Sequence, residues 1–318
     1  MRAIFMGTPA FAVPSLDALC DVADVVGVVC QPDKPQGRGM QLAAPPVKFR
    51  AVERGLTVHQ PTKVRDGALE RWIREREVDV ALVVAYGRIL PLGVLTAPRV
   101  GCVNVHASLL PKFRGAAPIN WCIVRGERET GVGLMRMEEG LDTGPVFASV
   151  KTPIGADETA GELSERLSHL AATLVRERLA EVVAGKLTAV PQDDAAATLA
   201  PIMKKEDGRL DWSLPAAALH DHVRGMQPWP GAYTSIAGKS LRVLRTSPLA
   251  SVVHAPADVA RVAGRVLIAD KHAVVVACGP DARDAIEIHA AQLEGKRAMP
   301  ASDLVNGRAL AVGMLLGG

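Results

Sequence analysis

An α/β domain built on a parallel sheet, followed by a small antiparallel β domain, is the fold class this sequence predicts. Three observations carry that expectation. Short β-branched runs alternate with helical stretches through the first half, and one of those runs is apolar almost without a break. In the last third the chain turns to short strands separated by turn signals such as Ala237-Gly238-Lys239 and Ala269-Asp270-Lys271. A length of 318 residues fits two domains better than one or three.

In chain order, Arg2 to Met6, Val25 to Cys30, Leu56 to His59, Val78 to Tyr86 and Gly101 to His106 read as strands, with helical patterns between most of them. Val78 to Ala85 is the nearly continuous apolar run, as expected of a central strand buried on both faces. Residues 31–46 break the pattern. They are rich in Pro and Gly, show neither structural period, and read as an inserted loop beyond the second strand. From Asp157, a plausible N-cap, to Lys186 a long amphipathic helix is predicted, with Leu163, Leu167, Leu170 and Leu174 as its apolar stripe and Gly185 as its stop. This organises the chain as a first domain over 1–186, a linker over 187–207 and a C-terminal β-barrel over 208–318, which opens on a helix capped by Ser213 and running through Met226.

Composition narrows the class. Apolar residues make up 48% and charged residues 22%, the balance of a globular chain, and with aromatics at 3% the core must be mostly aliphatic. No run approaches the roughly 20 apolar residues of a membrane span, and the first residues read as a strand entering a turn, so a cytoplasmic protein without membrane association is expected. The five cysteines are odd in number and none lies within four positions of another. That spacing suits neither a disulfide framework nor a metal site, so no metal is expected and the thiols read as reduced, mostly buried groups. Residues 1–200 hold 23 basic and 23 acidic side chains, which places the whole net charge of +3 in the last third. Such an excess permits a polyanionic partner without arguing for one.

Two stretches carry chemistry. Asn104 and His106 lie two apart at the end of a predicted strand, so both side chains point to the same side, at the end of the sheet where α/β folds bind ligands. Ser108 to Gly115 then leaves the strand, and Ala116-Ala117-Pro118 reads as a helix start. The second stretch, Glu138 to Pro145, is an acidic turn with glycine on either side of Leu141-Asp142-Thr143. By itself Asp142 there reads as an aspartate that stabilises a turn. Met6 to Phe11 does not supply the Gly-x-Gly-x-x-Gly of a nicotinamide-binding turn.

Together these residues resemble the formyltransferase superfamily that uses 10-formyltetrahydrofolate, and within it the branch whose acceptor is initiator methionyl-tRNA. The likeness runs through Met6-Gly7-Thr8-Pro9-Ala10-Phe11, Gln31-Pro32-Asp33, Gly37-Arg38-Gly39 and Ala85-Tyr86-Gly87-Arg88-Ile89-Leu90-Pro91. It continues in Asn104-Val105-His106 with Ser108-Leu109-Leu110-Pro111, in Gly140-Leu141-Asp142-Thr143-Gly144, and in Asp211-Trp212-Ser213 and Gln227-Pro228-Trp229-Pro230-Gly231. The resemblance implies a Rossmann-like catalytic domain and an OB-like C-terminal barrel that binds tRNA. It further implies a monomer and a donor folate, 10-formyltetrahydrofolate. It implies Asn104, His106 and Asp142 as the catalytic set, and it alone joins Asp142 to the other two.

The resemblance also implies folate contacts from Ser108, Leu109, Leu110 and Pro111 and from Tyr86, Gly87, Arg88, Ile89 and Leu90. On the acceptor side it implies Arg38 near the tRNA end, with Lys204, Lys205, Arg242 and Arg245 as phosphate contacts. For Phe11 two readings stand: a wall of the methionyl pocket, or a buried aromatic at a helix start. After Gly39 this chain continues with Met40-Gln41 where the family commonly has lysines, so its loop is less basic. The same core serves amino-sugar N-formyltransferases, the nearest alternative. The hydrolase branch fits less well, since the chain begins directly at strand one. A tRNA-binding module without catalysis is disfavoured by the presence of all three catalytic candidates.

Overall fold

The computed structural model describes residues 1–36, 41–249 and 259–317, and the chain divides into two compact units. The first comprises Met1–Pro118, Glu129–Pro153 and Leu163–Pro201. Its strands are β1 (Arg2–Gly7), β2 (Asp24–Val29), β3 (Lys34–Gln36), β4 (Gln41–Ala43), β5 (Val58–His59), β6 (Val80–Val84), β7 (Cys102–His106), β8 (Arg114–Gly115), β9 (Glu129–Arg136), β10 (Val146–Pro153) and β11 (Leu199–Ala200). Seven of them form one sheet in the order β10-β9-β7-β6-β1-β2-β5. The stretch β7-β6-β1-β2-β5 is parallel throughout, as the alternation of strands and helices predicts.

Burial explains which strand lies where. All five residues of β6 are buried and β1 is buried from Ala3 onward, so the two strands with apolar side chains on both faces occupy the middle. On the other flank β9 and β10 pair antiparallel, to β7 and to each other. These two were not among the strands expected from sequence. Edge strand β10 alternates partly buried and exposed residues along its second half, a weaker signal than a fully buried run.

Helices α1 (Val13–Val22), α2 (Pro46–Glu53), α3 (Ala68–Arg74) and α4 (Leu92–Leu95) follow in the first unit. The expected loop at 31–46 contains structure: β3 and β4 pair antiparallel, and α2 begins at Pro46. Arms of three residues are too short for alternation to be legible. Helix α5 (Pro118–Val124) starts at Pro118, as its sequence predicts. Helix α6 spans Ala160–Val183, shorter at each end than the expected 157–186. Its cap is Thr159 and not Asp157. The Thr159 hydroxyl accepts from the Glu162 N–H at 3.3 Å while the Glu162 carboxylate accepts from the Thr159 N–H at 2.8 Å, a reciprocal capping box.

The second unit comprises Ile119–Arg128, Ile154–Glu162 and the described residues from Ile202 to Gly317. Helix α7 (Ala216–Gly225) starts after Pro215, so Ser213 is not its cap; the Ser213 hydroxyl and N–H both donate to the Asp211 carboxylate instead. Strands β12 (Tyr233–Ile236), β13 (Lys239–Pro248), β14 (Val266–Ala269), β15 (Val274–Cys278), β16 (Asp284–Leu293) and β17 (Met299–Pro300) form an antiparallel sheet along β12-β13-β16-β15-β14, with β17 on β16 and α8 (Ala301–Asn306) after it. This is the small antiparallel domain that the turn-separated strands predict.

The five thiols are free, and four of them are buried. Burial pushes the Cys30 thiol up to about 11 and those of Cys102 and Cys278 up to about 12. Near neutral pH all three are therefore neutral thiols, not nucleophilic thiolates. Iodoacetamide at neutral pH is expected to leave them unmodified in the folded protein and to reach them only after unfolding, as peptide mass spectrometry would report. Rapid native-state alkylation of Cys102 would contradict this packing.

Candidate active site

The site is built at the carboxyl end of the first sheet. Strand β7 brings Asn104 and His106 there, with Asn104 in register between Val83 of β6 and Met135 of β9, and His106 opposite Gly133. His106 is buried, and its Nε2 lies 3.0 Å from the Phe113 carbonyl. A carbonyl only accepts, so Nε2 carries a proton and Nδ1 is the atom left to face another partner. That partner is Asp142: its Oδ2 lies 3.7 Å from Nδ1. The Asn104 amide is half-buried and has no hydrogen-bond partner among the described residues, so its donors are uncommitted.

Asp142 is held as firmly as it is placed. It sits at φ +51°, a left-handed conformation uncommon outside glycine, though aspartate is among the residues that tolerate it. Its Oδ2 accepts the Gly115 N–H at 2.8 Å. Gly115 is itself fixed, because β8 pairs in parallel with β11: the Arg114 N–H donates to the Thr198 carbonyl at 2.8 Å and the Ala117 N–H to the Ala200 carbonyl at 3.2 Å. The Thr198 hydroxyl also accepts the Phe113 N–H at 2.9 Å. The loop that follows His106 is thus braced by residues 198–200, within the stretch 187–207 expected to be a linker.

The remaining expected site residues fall into different settings. Ser108 is fully buried and its hydroxyl donates to the Lys112 carbonyl at 2.6 Å, so it shapes the loop, while Leu109, Leu110 and Pro111 are half-exposed. Tyr86 is turned inward: its ring is 2% exposed among Ile4, Met6, Val29 and Val83, and what it offers the loop is its carbonyl. That carbonyl accepts from Gln31 Nε2 at 2.9 Å and from the Thr8 hydroxyl at 3.2 Å, which ties together the loops after β1, β2 and β6. Gly87 and Ile89 are exposed, Leu90 is buried, and Arg88 donates to the Thr62 carbonyl at 3.0 Å. Phe11 lies half-buried in a short turn of helix before α1. Beside these loops an open cleft of about 370 Å³ is lined by Thr8, Gln31, Lys34 and Pro45 among others.

Arg38 lies outside the described residues. In the second unit Lys204, Lys205 and Arg245 are exposed, whereas Arg242 is half-buried with its guanidinium 3.5 Å from the Pro228 carbonyl. Two further polar side chains that no motif announced meet the Asp142 turn, Gln192 and, through it, Arg114. Only the proximity of Arg114 to the Asn104 segment hinted at its involvement, and Gln192 stands in a stretch without periodicity.

Comparison with known proteins gives a consistent picture. Residues 1–179 match the formyl transferase family and residues 202–309 the formyl transferase C-terminal domain. A methionyl-tRNA formyltransferase of Sorangium cellulosum is 56% identical over 318 residues, covering 100% of both chains. One from Citrifermentans bemidjiense is 48% identical over 100% of this chain and 96% of its own. Among solved structures, an N-formyltransferase from Helicobacter canadensis, in complex with folinic acid and dTDP-3-aminofucose, superposes with a TM-score of 0.68 at 16% identity, covering 90% of this chain and 98% of that one. At that identity the likeness speaks for the fold.

The brace makes a measurable demand on Gly115. At its φ of +126° a Cβ would stand 2.5 Å from the Ala200 carbonyl oxygen, whereas at Gly185, φ +69°, a Cβ would meet nothing within 4 Å. Gly115→Ala is therefore expected to destabilise the protein by about 1–3 kcal/mol, more than Gly185→Ala, in urea unfolding. Equal losses would show that β11 does not hold Gly115.

Proposed function

The chain belongs to the formyl transferase family, among its methionyl-tRNA formyltransferases, and from that premise we propose that it moves the formyl group of 10-formyltetrahydrofolate to the free amino group of initiator methionyl-tRNA. The product is N-formylmethionyl-tRNA for translation initiation. In this reading the protein is a cytoplasmic enzyme that works as a monomer; among the described residues no helix is long and apolar enough to cross a membrane.

One observation supports the catalytic assignment above the others: the approach of the Asp142 carboxylate to His106 Nδ1, 3.7 Å, beside the uncommitted amide of Asn104. Attack of the methionyl nitrogen on the formyl carbon makes a new C–N bond and leaves a negative oxygen on a tetrahedral carbon. The Asn104 amide and, once it carries a proton, His106 Nδ1, which the 3.7 Å gap leaves without a hydrogen bond to Asp142, are suited to donate hydrogen bonds to that oxygen. As the intermediate collapses, the bond from carbon to the folate nitrogen breaks. That nitrogen gains a proton while the attacking nitrogen loses one. Asp142 faces Nδ1 and accepts or returns a proton through water. The half-exposed Leu109-Leu110-Pro111 edge and the backbone from Gly87 to Ile89 are assigned to the pterin, with Tyr86 supporting them from the core. Lys204, Lys205, Arg242, Arg245 and Arg38 are assigned to tRNA phosphates, and Phe11 to the methionyl pocket.

The decisive assay is transfer of labelled formyl from 10-formyltetrahydrofolate to charged initiator tRNA. His106→Ala and Asp142→Asn are expected to slow it by roughly 10² to 10⁴-fold, and Asn104→Ala by about 10² to 10³-fold. Formylation of a nucleotide-linked amino sugar in place of Met-tRNA would overturn the acceptor, and near wild-type turnover of His106→Ala would overturn the mechanism. For the phosphate contacts, the affinity for tRNA should fall steeply as salt rises, and the slope should become shallower by about one for each contact removed, as in Lys205→Ala or Arg245→Ala.

A further inference from the structure

We propose that Gln192 is a positioning residue for the transfer reaction, one that sets Asp142 against His106 by clamping the turn on which Asp142 stands. The inference rests on the catalytic reading of Asp142 given above. Gln192 Nε2 donates to two carbonyls of that turn, Asp142 O at 2.8 Å and Gly144 O at 2.6 Å. Its Oε1 accepts from two nitrogens of Arg114, Nε at 3.0 Å and Nη2 at 2.9 Å. Chemistry fixes this orientation of the amide. Carbonyls only accept and a guanidinium only donates, so the opposite flip would set four like groups against each other.

The contacts close a ring. Arg114, which orients Gln192, immediately precedes Gly115, whose N–H holds the Asp142 carboxylate. The turn is gripped at the backbone by one side chain and at the carboxylate by one N–H, and both grips are referred to the same strand, β8. Its other backbone anchors among the described residues lie at its root, where the Arg136 N–H donates to the Pro145 carbonyl and the Met137 N–H to the Cys102 carbonyl, each at 2.9 Å, and Val146 bridges Val190. The tip carries Leu141 exposed to solvent and Asp142 at positive φ, so contacts from outside the turn, those of Gln192 and Gly115, bear on the conformation that faces His106. The Arg114–Asp194 ion pair adds little constraint, because the Asp194 side chain is 82% exposed.

Glutamate separates the two halves of this role. Gln192→Glu has the same shape and keeps, even strengthens, the bonds to Arg114, but it loses both donors to the turn and turns an oxygen toward two carbonyls. The test compares steady-state kinetics of wild type, Gln192→Glu, Asp142→Asn and the double variant, with thermal unfolding of each. Gln192→Glu is expected to lower kcat about ten- to hundredfold, two hydrogen bonds at up to tenfold each, with KM for both substrates changed by less than about threefold. In the Asp142→Asn background the same substitution should lower kcat by less than about twofold, because the group it positions is already gone.

Equal losses in the two backgrounds, or a loss confined to KM, would show that Gln192 acts as general scaffolding and overturn the proposal. Slow Asp142→Asn with unimpaired Gln192→Glu would sink the positioning role alone. An Asp142→Asn enzyme of normal kcat would remove the catalytic role of Asp142, and the positioning role with it. Should Gln192→Glu fail to fold, Gln192→Asn, which keeps the amide but withdraws it by one methylene, supports the same comparison.

Discussion

A carboxylate on a solvent-facing turn reaches a buried imidazole here because the backbone N–H of Gly115 meets it at 2.8 Å. Other parts of the first unit serve that contact. The N–H points at Asp142 because β8 lies in register with β11, and that register is enforced by donors and acceptors from Phe113 to Ala117 on one side and from Thr198 to Ala200 on the other. Gly115 must lack a side chain for the two strands to approach so closely. His106 is oriented by the same loop, through the Phe113 carbonyl. One short parallel pairing thus governs both partners of the candidate acid-base couple.

The sheet and the loops divide the work. The parallel sheet supplies position, since burial on both faces fixes β6 and β1 at its centre and carries β7 beside them. Orientation comes from cross-loop hydrogen bonds at the carboxyl ends: Gln31 and Thr8 on the Tyr86 carbonyl, Ser108 on the Lys112 carbonyl, Gln192 on the Asp142 turn. Partly buried hydrogen bonds of this kind hold geometry better than exposed ion pairs do, because water competes less for their donors and acceptors.

Sequence reveals these two contributions unequally. Strands β1, β2, β6 and β7 were readable because continuous apolar runs report burial directly, and the pairing of Asn104 with His106 follows from the two-residue period of a strand. Edge strand β10 carries only a weak alternation, and β9, although buried from Thr130 to Met135, has its apolar run broken by Gly131 and Gly133. The cap of α6 lies two residues beyond Asp157, which looks like a cap until Glu162 is seen reaching back to Thr159. Tyr86, in a motif shared with folate enzymes, proves to face the core, with only its carbonyl contributing to the loop. Gln192 could not be found in advance, since its value lies in where the chain returns and no local period encodes a return. The proximity of Asp142 to His106 was inferred from resemblance alone for the same reason.

The β8–β11 pairing also bears on how such a chain can be cut and recombined. The family patterns cover residues 1–179 and 202–309, and the β11 side of the brace, with Gln192, falls in the interval between them. A module excised at the end of α6 would retain the sheet, the strand bearing Asn104 and His106, and the turn bearing Asp142. It would lack Gln192, Thr198 and the Leu199–Ala200 strand that keep these in register. The unit that could be transplanted with its candidate site intact is therefore longer than the unit recognisable as a sheet, and a chimera joined between α6 and Gln192 would inherit the candidate groups without their alignment.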